Sequence, residues 1–567
     1  MTGVDWIVMF AVLFFIVGYG TWKSRGSKNI DSYLKGGDAN WWSIGLSVMA
    51  TQASAITFLS TPGKAYADGM GFVQFYFGLP LAMVVIAAVF IPLYYKLKVY
   101  TAYEFLEQRF DLRMRLLTAS LFLIQRGLAA GITIYAPAII LSQILAWDLN
   151  FTIVFIGVLV IIYTVSGGTR AVSQTHKQQM AVIFAGMFVA FFLLVDYLGE
   201  YVSFGDALNV AGMMGKMEII SLDFDADSRY NLWSGLLGGF FLQLSYFGTD
   251  QSQVQRYLSG RSVRESRMGL MFNAVLKIPM QFFILLTGVL VFVFFQFERP
   301  PLHFNAHNET VVMAGEQATA YDVLQQRYED VHARKKEEIL TSLAAGNGGE
   351  EIEKWSVRES ELRAEAATLI KDTDDQAEVR DNDYIFIHFI MHYLPVGLIG
   401  LLLAVIFSAA MSSTSAELNA LGSTATIDVY KRQLHRDGSD AHYLGASRWM
   451  TFAFGMLSIL FAVLASLFDN LIEAVNILGS LFYGTILGIF LVAFMMKRVK
   501  GRAVFIAALI SQATIIVLFM LDRDGKIHIA YLWYNLLGPA IVMGLSALLQ
   551  YMDGGDGEPG INISRSR

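Results

Sequence analysis

The chain has 567 residues, of which 55% are hydrophobic and only 16% are charged, with a formal net charge of −6. Soluble domains carry about 25% charged residues, so this composition excludes an ordinary soluble protein, and it gives no basic surface for nucleic acid. The absence of cysteine excludes disulfides and cysteine-ligated metals. Several apolar blocks are long enough to cross a hydrocarbon core of about 30 Å, which predicts an all-α polytopic protein embedded in the lipid bilayer.

The apolar blocks predict about thirteen transmembrane helices. The first block lacks a basic n-region and a cleavage site, so we interpret it as a retained helix and not as a signal peptide. Lys and Arg concentrate in alternate loops, including 25–35, and the positive-inside rule places these loops in the cytoplasm. The N-terminus is then outside and the tail at 554–567 cytoplasmic. The predicted spans are 4–22, 41–62, 71–95, 115–143, 150–166, 174–199, 231–254, 268–297, 394–428, 444–468, 470–496, 502–521 and 529–551.

Two of these spans are interrupted by polar residues. The stretch "SVMATQASAITFLSTPGKA" (47–65) has a polar centre followed by Pro62 and Gly63, and "FLQLSYFGTDQSQVQRYLSG" (241–260) carries Gly248, Asp250 and several Gln. The two stretches lie five spans apart and run in opposite predicted directions. An inverted repeat of five helices, with a broken first helix in each half, requires this arrangement. The alternative is two ordinary helices whose polar faces pack against neighbouring helices.

Arg126 lies near the middle of the predicted span 115–143. An arginine at this depth is costly and is usually paired or functional. Three interpretations are open: a structural pair with a carboxylate such as Asp250 or Glu417, attraction of an anionic substrate, or exposure to a water-filled vestibule. In the first interpretation, Arg126, Asp250 and Glu417 form a charge network.

The segment 299–384 is polar and is predicted to lie on the outer side of the membrane. Its composition predicts two charged helical stretches around the turn "GNGG" at 346–349. We expect a solvated helical hairpin or cap, and the alternative is a surface that binds a partner. No obligatory protein partner is evident from the sequence.

The stretch "SAAMSSTSAELNALGSTATIDVYKR" (408–432) has many hydroxyls for a membrane helix. Ala409, Ser412 and Ser413 fall at i, i+3 and i+4, so they share one helix face. Neutral hydroxyls and carbonyls suit Na⁺, whereas carboxylate-rich sets suit divalent ions. Together with free carbonyls of an unwound helix, the two hydroxyls would form a weak and reversible cation site. The alternative is that the small residues only allow close helix packing.

These stretches resemble the solute:sodium symporter family. The segment 408–432 is similar to its sodium-site helix, and "WWSIGLSVMATQASAITFLS" is similar to its broken first core helix. The motifs "YTAYEFLEQRF", "YTVSGGTRAV" and "GTDQSQVQRYLSG" also match, and the resemblance covers about 41–300 and 385–500. Within the family, "IYAPAIILSQI" and "QVQRYLSG" resemble the branch of iodide, multivitamin and monocarboxylate carriers.

The resemblance implies a five-plus-five inverted-repeat core of the LeuT type, with two discontinuous helices and flanking helices. It implies that a sodium gradient drives uptake of a small organic solute by alternating access across the plasma (inner) membrane, and that the protein is not an enzyme. Carried over residue by residue, the shared sodium site falls on the backbone carbonyls of Ala50, Ala53 and Ala409 and on the hydroxyls of Ser412 and Ser413.

The resemblance also implies a substrate cavity. Tyr246 matches the tyrosine that gates the substrate on the inner side in sugar carriers, and Lys277 matches a lysine of their cavity. The other cavity positions depart from the sugar carriers, and the essential Asp of the proline carriers falls on Gln52. Hexose, proline and iodide are therefore each in doubt as the solute, because such pockets reject analogues that lack the matching groups. The candidate substrate-binding residues are Gln52, Thr57, Tyr76, Gln243, Tyr246, Lys277 and Val475.

One Na⁺ per cycle is predicted. His176 stands where family members with a second sodium have an Asp, and Ala416 stands where a second-site Ser would be expected. One charge crossing 100 mV supplies roughly 2.3 kcal/mol, and a tenfold sodium gradient adds about 1.4 kcal/mol. A neutral or zwitterionic solute could then be accumulated about 500-fold, against about tenfold for a monovalent anion, which favours the former.

Two other functions compete with this interpretation: an organic-anion carrier of monocarboxylates or vitamins, and a channel or sensor without coupled transport. The sequence shows no Walker A, HExxH or GxSxG motif of a pump or hydrolase. The expected organisation is a first helix and loop at 1–40, the first repeat at 41–200, the start of the second repeat at 201–298, the insertion at 299–384, the rest of the second repeat at 385–500, and two accessory helices with the tail at 501–567.

Overall fold

The computed structural model describes residues 1–24, 39–145, 147–346, 350–375, 377–464 and 471–553. Within these ranges the chain forms helices and one isolated bridge between Ala39 and Gly260, with no strand. Nine helical stretches there are long and apolar enough to cross a membrane. The predicted all-α polytopic fold is therefore confirmed. The basic loop at 25–35 and the tail at 554–567 lie outside the described residues.

Within the described residues, every predicted span coincides with helical structure. The unbroken membrane helices are Gly3–Ser24, Leu112–Leu145, Leu149–Gly199, Val263–Phe297, Leu398–Thr424, Asp440–Val463, Leu471–Met495, Gly501–Arg523 and Tyr534–Met552. The predicted span 71–95 is composite, and π-helical turns extend two other helices. These and the short connecting helices are Gly69–Tyr76, Leu79–Val85, Ile86–Phe90, Ile91–Leu97, Glu104–Arg109, Phe204–Met213, Ser234–Gly238, Asn382–Tyr384, Ile385–Tyr393, Ala425–Leu434 and Tyr531–Trp533.

The helix Leu149–Gly199 differs from the prediction of two spans separated by a loop. Its backbone is helical throughout its 51 residues, because a helix satisfies its own N–H and C=O groups without a separate connection. Its two halves contact different neighbours. A Cβ on Gly157 would meet Ile459, and one on Gly186 would meet Leu402. The side chains of 166–175 between them lie outside the described part.

The first interrupted span is a broken helix, which we call the first broken helix. Its halves are Trp41–Gln52 and Ala55–Asp68, and the backbone leaves helical geometry at Ala53 (φ −84°, ψ 70°) and Ser54 (φ −77°, ψ 175°). A break of this kind leaves carbonyls of the first half without their intrahelical partners. Carbonyl oxygens at membrane depth are thereby made available to a ligand.

The break does not lie at Pro62 and Gly63, where the sequence drew attention. Both residues are inside the second half of the first broken helix and are buried. Gly63 is needed for close packing, since a Cβ there would lie 2.1 Å from the carbonyl oxygen of Asn382. The Pro-Gly pair therefore marks a contact with the end of the insertion, at Asn382.

The second interrupted span is also a broken helix, which we call the second broken helix. Its halves are Gly239–Thr249 and Gln251–Leu258, and Asp250 between them has extended geometry (φ −77°, ψ 120°). The Asp250 carboxylate accepts hydrogen bonds from the backbone N–H (2.9 Å) and the hydroxyl (2.6 Å) of Ser252. It thus caps the second half, as Asp does at many helix N-termini. The two predicted discontinuous helices are both present.

The insertion folds around a core of its own. Its long helices are Ala318–Ala345 and Glu350–Thr373, preceded by the short helix Ala306–Met313. The first long helix ends at Gly346, whose left-handed φ of +67° suits glycine; the rest of the predicted turn, 347–349, lies outside the described residues. Residues buried between the helices include Tyr321, Leu324, Tyr328, Leu362 and Ile370.

The insertion is attached to the membrane helices by buried contacts. The His332 side chain is within 3.0 Å of the carbonyl oxygen of Phe295, and Lys336 donates to the carbonyl of Phe297 at 2.8 Å. Tyr66 of the first broken helix packs edge-on against Phe304, with ring centroids 5.9 Å apart. The expected solvated hairpin is therefore a cap that rests on the first broken helix, because its inner face is apolar.

Asp383 lies beside this cap and should give stability a pH dependence. Its carboxylate accepts a hydrogen bond from the N–H of Leu471 (3.3 Å), and burial raises the pKa of Asp383 from 3.8 to about 7. The folded protein thus holds this proton more tightly than the unfolded chain. The free energy of unfolding should fall as pH rises from about 4 to about 7 and then level off.

Thermal unfolding across this pH range, compared between the wild type and Asp383→Asn, measures how much Asp383 contributes to the pH dependence of stability. The neutral amide keeps the shape of the protonated acid, so the variant should show a shallower decline. Identical pH profiles for the two proteins would contradict the assignment.

Candidate functional site

A central cleft of about 90 Å³ lies between the two broken helices. It is lined by residues from both of them, from Leu112–Leu145, from Leu398–Thr424 and from Leu471–Met495. The structure thereby brings six of the seven candidate substrate-binding residues to one cavity. These six are Gln52, Thr57, Tyr76, Gln243, Tyr246 and Val475.

Lys277 is the candidate that does not line the cleft. Its Nζ is buried and lies 5.3 Å from the ring centroid of Tyr76, whose side chain forms part of the cavity wall. Among the described residues, this Nζ has no hydrogen-bond partner. Lys277 is therefore a neighbour of the cavity wall through its contact with Tyr76.

Arg126 is bound between two carboxylates at the bottom of the cleft. Its Nη1 donates to Oε1 of Glu417 at 3.1 Å, and its Nη2 donates to Oδ2 of Asp250. The hydroxyl of Tyr483 lies 2.6 Å from Nη2, and the ring centroid of Tyr246 lies 5.4 Å from the guanidinium. This geometry corresponds to the paired interpretation of Arg126, because both Nη atoms are engaged by acids.

The hydroxyl-rich helix Leu398–Thr424 packs against the break in the first broken helix. The Ser413 hydroxyl lies 3.5 Å from the carbonyl oxygen of Ala50 and 3.4 Å from that of Thr51. The Ser412 hydroxyl is buried and lacks a hydrogen-bond partner in the described ranges. Neutral oxygens from a break and a hydroxyl pair thus converge here. The other candidate sodium ligands, Ala53 and Ala409, are also buried.

His176 belongs to the helix Leu149–Gly199 and is buried beside the first broken helix and the helix Leu398–Thr424. Its Nδ1 is within 2.9 Å of the hydroxyl of Ser47, and the neighbouring Gln179 donates to the carbonyl of Ser408 at 3.0 Å. An imidazole bonded to a hydroxyl offers no carboxylate charge at this position. The position at which the family resemblance implied an acidic ligand for a second sodium thus holds an imidazole that is hydrogen-bonded to Ser47.

Several residues around the cleft were missed by the sequence interpretation. Asn476 and Tyr483 line it from Leu471–Met495. One turn before Asn476, Glu473 pairs with Lys64 of the first broken helix (2.6 Å) and with Arg229 (2.9 Å). Asn476 and Glu473 could have been noticed as polar residues in an apolar helix, which are functional candidates by default. Nothing in its sequence context distinguishes Tyr483.

Tyr246 gives a direct test of the cleft. Its hydroxyl accepts a hydrogen bond from Gln253 at 2.5 Å, so it bridges the two halves of the second broken helix, and its ring packs against Tyr483. Tyr246→Ala should abolish or uncouple transport while expression persists, measured as uptake per folded protein. Tyr246→Phe, which keeps the ring, is the matched control and should retain more activity. Normal uptake by a stable alanine variant would remove Tyr246 from the mechanism.

Comparison with known proteins decides the family. The model described as "Sodium:solute symporter family" matches residues 32–320 and 365–511, which is more than half of the chain. The chain belongs to the sodium:solute symporter family. The unmatched stretch 321–364 lies within the insertion, so the family match covers the membrane core. The resemblance drawn from the motifs is confirmed.

Two curated relatives and a solved structure illustrate the similarity. The human sodium/iodide cotransporter is 30% identical over 295 residues, which cover 51% of this chain and 45% of that protein. The sodium/sialic acid symporter of Proteus mirabilis is 26% identical over 558 residues, which cover 95% and 93%. A Na⁺-coupled sialic acid symporter solved in a substrate-bound outward-open state superposes with a TM-score of 0.74 at 23% identity, covering 99% of both chains. The last comparison confirms the predicted symporter fold.

Proposed function

We propose that this symporter-family protein couples the entry of Na⁺ to the uptake of a small organic solute by alternating access. The proposal rests on one observation: the Ser413 hydroxyl lies within hydrogen-bonding distance of the carbonyl oxygens of Ala50 and Thr51, next to the break in the first broken helix. The proposed sodium ligands are the carbonyls of Ala50, Ala53 and Ala409 and the hydroxyls of Ser412 and Ser413.

The chemistry of this oxygen set supports Na⁺ as the transported ion. All the proposed ligands are neutral, and the Ser412 hydroxyl is buried without a partner inside the described part of the chain. A buried hydroxyl normally makes a hydrogen bond, so a ligand at this point would satisfy it. A site without carboxylates binds a monovalent cation weakly, which allows release on the other side of the membrane.

One Na⁺ per cycle is the proposed stoichiometry. The support is His176, whose ring is bonded to Ser47 and carries no negative charge for a second cation. With one ion per cycle, a neutral or zwitterionic solute gains most from the gradient. An anionic solute has less support, because both Nη atoms of Arg126 are already engaged by Asp250 and Glu417.

The proposed location is the plasma (inner) membrane, with the N-terminus outside and the C-terminus in the cytoplasm. The distribution of Lys and Arg among the loops supports this orientation. It places the insertion on the outer side, above the first broken helix.

A thermal-shift screen tests the proposal. The purified full chain is heated in NaCl or in KCl at equal ionic strength, with and without a panel of sugars, amino acids, carboxylates and vitamins. Na⁺ should raise the unfolding temperature more than K⁺ does, and one solute class should add to the Na⁺ effect, since a ligand stabilises the state that binds it. Equal unfolding temperatures in both salts, with no Na⁺-dependent solute effect, would contradict sodium coupling.

A further inference from the structure

The charged groups in the cleft do not balance. Arg126 and Glu417 are the charged side chains that line it within the described ranges, and Asp250 binds Arg126 from behind. One guanidinium therefore faces two carboxylates. With both acids ionised, this cluster carries one net negative charge in a buried setting, where an uncompensated ion costs several kcal/mol.

The uncompensated charge is concentrated on one atom. Oε1 of Glu417 accepts from Arg126, but Oε2 is buried and has no hydrogen-bond partner among the residues that the structure describes. The hydroxyl of Thr133 is a hydrogen-bond partner of the Glu417 carboxylate and also lies 3.2 Å from the carbonyl oxygen of Ala129. Both oxygens of Asp250 are used, one by Ser252 and one by Arg126. Oε2 of Glu417 is thus open to a donor inside the cleft.

The surroundings of this oxygen suit an ammonium group. Oε1 of Gln52 and Oε1 of Gln243 also line the cleft and are buried without partners in the described part, and an ammonium carries three donors. The rings of Phe75, Tyr76 and Tyr246 line the same space, and aromatic faces attract organic cations. Lys277 does not line the cleft, and its Nζ lies 5.3 Å from the centroid of the Tyr76 ring.

The cleft also holds free donors for a carboxylate. Nδ2 of Asn476 and Nε of Arg126 are buried and make no hydrogen bond within the described ranges. A negatively charged carboxylate oxygen, which can accept from an ammonium, and an amide that can donate to a carboxylate thus face the same small volume. This combination matches a small molecule that carries both charges.

We propose that the cleft binds a small zwitterionic amine of amino-acid type, with its ammonium on Oε2 of Glu417 and its carboxylate on the amide of Asn476. This inference rests on the proposed symport function and specifies its solute class. Glu417 then acts as the specificity-determining residue that separates amines from the corresponding hydroxy acids.

Matched ligand pairs test the inference. Binding to the purified full chain in nanodiscs is measured by calorimetry in NaCl for L-alanine against L-lactate, L-serine against glycerate, and L-phenylalanine against phenyllactate. Within a pair only the ammonium is replaced by a hydroxyl. The amine should bind roughly tenfold or more tightly in at least one pair, as expected for a hydrogen bond to a charged group. Equal or weaker binding of the amine in every pair, or no binding of any amine, would overturn the inference.

Two variants locate the preference at Glu417. Glu417→Gln keeps the shape and removes the charge, so the preference for the amine should be lost. Glu417→Asp keeps the charge and should retain part of it. If the glutamine variant does not fold, the wild-type pairs and the aspartate variant still decide the matter. A preference that persists in a folded Glu417→Gln protein would overturn the inference.

The sodium response separates this inference from the proposed function. Na⁺-dependent binding of lactate or a sugar without amine preference would overturn the zwitterion assignment and leave sodium coupling intact. Reduced sodium cooperativity in Glu417→Gln, with the amine preference unchanged, would instead make Oε2 a second sodium ligand and overturn the assignment. Absence of any Na⁺ effect would count against the symport proposal itself.

Discussion

Arg126→Met should abolish transport and lower the free energy of unfolding by about 3–5 kcal/mol, the range for breaking a buried ion pair from one side. The guanidinium is fully enclosed and is bound to Asp250 and Glu417. Without it, the carboxylates of Asp250 and Glu417 lose their shared cation, and the hydroxyl of Tyr483 loses its charged partner. Chemical denaturation in detergent and uptake in proteoliposomes measure the two effects.

A compensating variant separates the loss of charge balance from the loss of packing. The triple variant Arg126→Met, Asp250→Asn, Glu417→Gln removes all three charges while keeping similar volumes. It should recover much of the stability, because replacing a complete buried ion cluster by neutral groups is often nearly neutral. It should not recover transport. Wild-type stability and uptake in the single Arg126→Met variant would contradict the role of the network.

Ser413→Ala and Ser412→Ala should each raise the sodium concentration for half-maximal activation roughly tenfold or more, as loss of a bond to a charged group does. Each change removes one of five proposed oxygens. Ser423→Ala is the matched control, since its hydroxyl lies about three turns further along the same helix and bonds to the carbonyl of Ala420 at 3.3 Å. The transport rate is measured as a function of sodium concentration for all three variants. If both Ser412→Ala and Ser413→Ala keep the wild-type half-activation concentration for sodium, the assignment of these residues as sodium ligands is wrong.

Much of the cleft could be predicted from local sequence. Helical spacing placed Ser412 and Ser413 on one face, and the family motifs identified six residues that the structure brings to a single cavity. Gln52, Thr57, Gln243 and Tyr246 could be identified because they lie within the two interrupted stretches, whose pattern fixes their register.

Features that depend on pairing between distant segments were not predictable in this way. The break falls at Ala53 and not at Pro62, because Pro62 and Gly63 are set by packing against the segment at Asn382. Lys64 pairs with Asp68 four residues along its own helix, which a local pattern can indicate, but it also pairs with Glu473, more than four hundred positions away. The insertion likewise looked solvated because of its charged residues, and the apolar contacts of its Phe304 with Tyr66 and Phe295 emerge only once the chain is folded.

Solute and sodium fluxes in the same proteoliposomes test the central claim most directly. Uptake of a solute that binds in NaCl is followed together with uptake of radioactive sodium, at fixed sodium gradients and imposed membrane potentials. Sodium-coupled symport through one site predicts that each flux requires the other, with one Na⁺ per solute, a Hill coefficient for sodium close to one, and loss of both fluxes in Ser413→Ala. Solute entry that proceeds equally well in K⁺ without sodium flux would contradict the claim.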